Sequence, residues 1–208
     1  MYSEIEIKVS DPCVSFCETV IDSSGLKCIS ETPNKANRFT MIAEPMDKGL
    51  VDDIEAEKVN LQSQTPDEVS KFFEEKYSWD ILAAKSVWAF GPDNFGPNLI
   101  MDDTLPFETN KTHLEQVKSS LIHGFQWSTR EGPLCEEPIR NVKYKLMGAE
   151  LADQPIHRAG GQVIPTTRRV CYSSFLVANP RILGKFSRKP KTKFPNRAKS
   201  IGGDYLLR

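Results

Sequence analysis

The sequence predicts an α+β fold, on three observations. Short stretches alternate apolar and polar residues with a period of two, the pattern of half-buried strands. Two longer stretches carry apolar residues at spacings of three and four, one behind a capping box and one behind Asn110. Strands and helices are interspersed without a long parallel series, which separates this class from a doubly wound α/β protein. At 208 residues, with 39% hydrophobic and 26% charged side chains, the chain is large enough to bury a core of ordinary composition.

The elements follow in order. Residues 2–9 set Ile5, Ile7 and Val9 on one face and Glu4, Glu6 and Lys8 on the other, a strand pattern interrupted by Asp11-Pro12. A second strand is expected over 14–21, closed by the turn Asp22-Ser23-Ser24-Gly25. Residues 26–29 and 38–44 continue as strands around a Pro33-Asn34-Lys35 loop. A helix starts at Thr65-Pro66-Asp67-Glu68, where Thr65 caps, Pro66 takes the first helical position and Glu68 completes the box. A short helix over 79–85 leads to a strand at 87–90, two Gly-Pro steps and a strand near 99–101. The second good helix, 110–123, aligns Leu114, Val117 and Leu121. After Gly132-Pro133 the stretch 139–147 reads as a strand through Val142, Tyr144 and Leu146. A third helix is placed from Pro165, burying Cys171, Phe175 and Ala178 and ending at Asn179-Pro180.

Composition and motifs exclude several chemistries. Five cysteines without a Cys-x-x-Cys pair make neither a disulfide framework nor a zinc knuckle, and His113, His123 and His157 have no ligand spacing. Asp22-Ser23-Ser24-Gly25 and Asn34-Lys35-Ala36-Asn37 imitate guanine-nucleotide motifs. The second lacks the final carboxylate, and no Gly-x-x-x-x-Gly-Lys-Ser/Thr loop exists to cradle phosphates. No Gly-x-Ser-x-Gly elbow occurs either. The expectation is a chain without catalysis, cofactor or small-molecule substrate, and with no apolar run of membrane-spanning length.

One segment invites a binding role. Residues 157–169 place His157, Arg158, Gly160, Gly161, Gln162, Arg168 and Arg169 around the start of a helix. Glycines permit a sharp turn, free N–H groups at a helix start attract anions, and the cations suit RNA phosphate or acidic protein. A solvated turn with two arginines on an exposed helix is the plainer reading, preferred on composition alone. Trp79, Trp88, Phe90, Phe125 and Trp127 lie in apolar stretches and are read as core. From Gly184 onward eight cations face one carboxylate, while the preceding chain is net −8, so the end reads as a separate basic tail.

Five ordered motifs then carry a resemblance: Trp88-Ala89-Phe90-Gly91-Pro92, Gly96-Pro97-Asn98, Gly124-Phe125-Gln126-Trp127, Arg130-Glu131-Gly132-Pro133-Leu134-Cys135 and the 157–169 loop. In this order they resemble the fourth domain of the elongation factor G/elongation factor 2 family. The resemblance implies a ribosomal protein S5 domain 2-like fold. Residues 1–11 resemble the last strand of that family's third domain, 12–182 its fourth domain, and 183–208 an unrelated, disordered basic tail.

Ala152 and Gln154 stand where the ribosomal translocase has His and Asp, and the run Glu137-Pro138-Ile139-Arg140-Asn141-Val142-Lys143 is similar to the spliceosomal branch, the GTPase of the U5 small nuclear ribonucleoprotein. Ala159 replaces the first of three family glycines. The resemblance therefore implies a nuclear pre-mRNA splicing component lacking the GTP-binding domain, monomeric outside its complex. Its implied partners are the large scaffold protein and helicase of the U5 particle and small nuclear RNA. A translocase-type fragment is the alternative.

Overall fold

The computed structural model describes residues 15–61, 63–186 and 203–206. The expected strand at 2–9 lies outside them. A five-stranded mixed sheet forms the centre, in the order β2 (Cys28–Glu31), β3 (Arg38–Pro45), β6 (Val142–Glu150), β5 (Asn98–Asp102), β4 (Val87–Gly91). Only β5 and β6 run parallel; the other neighbours are antiparallel.

Each face of this sheet is covered by a different set of helices. On one face, Phe39, Met41, Ala43, Ile100, Tyr144 and Leu146 meet α4 (Lys111–Arg130) and α5 (Gly160–Val177). On the other, Phe90, Leu99 and Met101 meet an insert of α1 (Leu50–Glu55), α2 (Pro66–Tyr77) and α3 (Ile81–Lys85). β5 is thus buried on both sides, which explains its unbroken apolar run Leu99-Ile100-Met101. Phe73 stacks on Trp79 at 4.7 Å, and the buried Asp53 carboxylate ties the insert together by accepting from Lys58 at 2.8 Å and from Lys76 and Tyr77.

A second sheet joins β1 (Ser15–Val20), β7 (Pro180–Phe186) and β8 (Gly203–Leu206). β7 runs three residues past Leu183, and Gly203–Leu206 pairs with its end instead of lying free. The stretch 187–202 is outside the described residues.

Four further expectations shift. The helix placed at 110–123 continues through Gly124 to Arg130. Gly124 marks a close crossing: a Cβ there would come within 2.6 Å of Thr167 and 2.7 Å of the Ile164 carbonyl. The third helix begins at Gly160 and carries Pro165 inside it. Downstream of the proline, the Thr166 and Thr167 hydroxyls donate to the Gln162 and Val163 carbonyls at 2.7 and 2.9 Å. The strand placed at 139–147 starts at Val142, because Ile139 turns aside to bridge Glu18 of β1. Helix α1 has no counterpart in the sequence reading; its N-cap, Gly49, makes no side-chain cap.

Candidate functional site: the tip of the paired helices

α4 and α5 run parallel, side by side. Gln116 meets Arg158, a Cβ on Gly160 would lie 3.3 Å from Ser120, and Gly124 packs on Thr167, so the two helices run in the same direction, with α5 starting beside the middle of α4. The positive ends of two helix dipoles therefore point the same way. α4 is capped by Asn110, whose side chain accepts from Thr112 and His113 at 3.1 and 3.3 Å. α5 is not: Ala159 caps it without a side chain, and its first turn contains no acid. Among the described residues the Gly160 and Gly161 N–H groups have no protein acceptor. Space around the missing Cβ of Gly161 is open to at least 4 Å.

The approach to this helix is a 3₁₀ turn, Pro155–Arg158, and it is firmly held. The carbonyl of His157 accepts from Asn37 Nδ2 at 2.8 Å and Asn34 Nδ2 at 2.9 Å, both on the β2–β3 turn. Asn37 is 2% exposed and also accepts from the Ala152 N–H at 3.1 Å. Gln162 Oε1 accepts from the Asn34 N–H at 3.3 Å. The two asparagines that imitate a guanine-reading motif thus clamp the turn that leads into α5. A short Asn-rich turn was the visible signal, but its partner lies 120 residues away.

The seven predicted residues do not all reach one surface. His157 and Gly161 are exposed, Gly160 and Gln162 half-exposed beside them. Arg158 is a correction: it is 7% exposed and turned inward, donating to the Ala152 carbonyl at 2.9 Å and Gln116 Oε1 at 2.6 Å. A buried guanidinium needs such acceptors, and Arg158 positions the loop from beneath. The glycines also work differently from expectation. Neither has positive φ; the chain turns at Ala159, with φ −58° and ψ 145°.

Arg168 and Arg169 lie two turns along α5. Arg168 is committed to its neighbours: its guanidinium sits 4.1 Å over the Trp127 ring, donates from Nε to the Tyr172 hydroxyl at 2.8 Å and pairs with Glu131 at 3.1 Å. Burial pushes the Tyr172 hydroxyl above its ordinary pKa, and Arg168 pulls the other way. Trp127, read as core, is 42% exposed under that arginine; Phe90 and Phe125 are buried as expected. Arg169 is exposed. At the very tip Ile156 is 77% exposed and Lys35 projects from the β2–β3 turn. Among the described residues no three His, Cys, Asp or Glu side chains are grouped to hold a metal ion.

The family model for elongation factor G, domain IV, matches residues 57–179. The 110 kDa U5 small nuclear ribonucleoprotein component CLO of Arabidopsis thaliana is 57% identical over 183 residues, covering 88% of this chain and 18% of that protein. The 109 kDa component GFL of the same plant is 56% identical over 183 residues, again 88% of this chain and 19% of its own length. The pre-mRNA-splicing factor cwf10 of Schizosaccharomyces pombe is 56% identical, over 88% of this chain and 18% of the relative. The chain spans less than a fifth of the length of these curated relatives.

Proposed function

Because this chain belongs to the elongation factor G domain IV family, we propose that it is the domain IV portion of a splicing-type U5 particle component and acts by binding, not by GTP hydrolysis. Its working end is the tip formed by His157, Gly160, Gly161 and Gln162, with Arg158 as a positioning residue and Arg168 and Arg169 behind it. The partners are U5 particle proteins, the large scaffold protein and the helicase, or small nuclear RNA, and the place of action is the nucleus.

The observation that carries this reading is the uncapped start of α5, held at an exposed tip by Asn34 and Asn37. Free N–H groups aligned with a helix dipole favour an anionic group without a bound cofactor. Pinning the loop lowers the ordering cost of docking, which otherwise subtracts from affinity. Similarity above half identity to U5 components over most of the chain points to the particle.

The test is a pull-down of the tagged chain from nuclear extract. Recovery of U5 RNA or U5 proteins is expected. Gly161→Glu, which places a carboxylate in open space beside the free N–H groups, should reduce recovery severalfold. Recovery of ribosomes instead would sink the reading in favour of a translocase-type role.

A further inference from the structure

The outer face of the α4–α5 pair differs in charge from the rest of the molecule. The two helices carry Lys111, Lys118, Arg130, Arg168 and Arg169 against Glu115 alone, a net of +4. The insert, residues 46–86, carries ten carboxylates against five cations, a net of −5. Two carboxylates on this side of the helices are paired: Glu115 with Lys118 at 3.2 Å and Glu131 with Arg168 at 3.1 Å. Arg130 and Arg169 are exposed, with no carboxylate partner among the described residues. Between them the face presents Trp127, 42% exposed, with the Arg168 guanidinium lying over its ring.

From this arrangement we infer that the outer face of α4 and α5 is a track for single-stranded RNA, continuous with the tip. The inference rests on the reading of the chain as a U5-type binding domain. Single strands are held by cations spaced along the backbone together with exposed aromatic rings on which bases stack. The free N–H groups at Gly160 and Gly161 stand eight residues from Arg168 and Arg169, about 12 Å along the helix axis. One phosphate meets the helix start, the next phosphates meet Arg169 and Arg130, and a base lies against the Trp127–Arg168 pair.

The experiment measures binding of the full chain to fluorescein-labelled oligouridylate by anisotropy, across salt from about 50 to 200 mM. Two double variants change net charge by the same amount and keep the same basic tail: R130E/R169E on the helix face and K48E/K71E on the insert. R130E/R169E should weaken binding at least about tenfold and lower the salt slope by about two. K48E/K71E should bind nearly as the parent does. RNA should also quench tryptophan fluorescence in the parent and lose most of that quenching in Trp127→Phe. Equal affinities for the two double variants, quenching that survives Trp127→Phe, or no RNA binding at low salt would each overturn the track. In any of those cases, continued recovery of U5 components by the tagged chain would leave the broader reading standing.

Discussion

The α4–α5 layer and the α1–α3 insert cover opposite faces of one sheet, and they are built by different means. The helix pair is long, parallel and glycine-joined, and it packs on the larger apolar core with Tyr144 and Phe125 at its centre. The insert is a set of short helices gathered around Phe73, Trp79 and one buried carboxylate, Asp53. One layer therefore rests on shape and the other on a charged knot. Their surfaces diverge too: the helix pair is basic and ends in an open helix start, while the insert is acidic and capped by Thr65 and Glu68. The comparison teaches that the proposed binding surface belongs to the layer held by helix packing, not to the layer held by the Asp53 knot.

The largest expected effect breaks the helix layer at its core. Phe125→Ala should cost about 4 kcal/mol of unfolding free energy, read by urea titration. The Cys171 thiol, pushed up to about 12 by complete burial in this layer, should become open to a thiol reagent in the same variant. Phe73→Ala in the insert should leave Cys171 protected while amides of 50–85 exchange faster. If both variants expose Cys171 equally, the two layers are one unit and the comparison fails.

Gly124→Ala comes next. With only 2.6 Å to Thr167, the added methyl must push the helices apart, at about 3 kcal/mol. An unchanged midpoint would mean that α4 and α5 do not need this close crossing.

Asp53 tests the charged knot. Hydrogen bonds from Lys58 first, then Lys76 and Tyr77, hold its carboxyl well below the usual carboxylate range. A depressed folded value means the contribution is complete above the unfolded pKa near 4 and is lost as pH falls below it. Asp53→Asn should cost about 2 kcal/mol at neutral pH and flatten the acid limb of stability below about pH 4. Thermal melts against pH decide this, and parallel limbs for parent and variant would remove Asp53 from the account.

Much of this architecture was legible where the signal is local. The box at Thr65 and Glu68 is present as read, with the Thr65 N–H donating to Glu68 at 2.8 Å. The strands centred on Phe39–Ala43 and Leu99–Met101 were visible from their apolar pattern. What depends on distant partners was not. Gly124 looks like a helix stop until Thr167 is placed beside it, and Pro165 looks like a start until Gly160 meets Ser120. Sequence marks Arg158 as a cation but says nothing of the Gln116 and Ala152 acceptors that draw it inward. Asn34 and Asn37 imitate a nucleotide motif they do not form, and in the fold they hold the His157 carbonyl.

A smaller effect sharpens that last point. Asn37→Ala removes one clamp on the His157 carbonyl and one on Ala152, and should cost about 1 to 2 kcal/mol while raising exchange at 153–162. Unchanged exchange there would mean that the tip does not depend on the β2–β3 turn.

The most direct test of the central claim is a hydrogen-exchange footprint of the chain bound to purified U5 particles or their RNA. Protection should fall on 153–172 and the exposed face of α4 and leave the insert, 50–85, as it is in the free chain. Protection confined to the insert, with the tip exchanging freely, would contradict it.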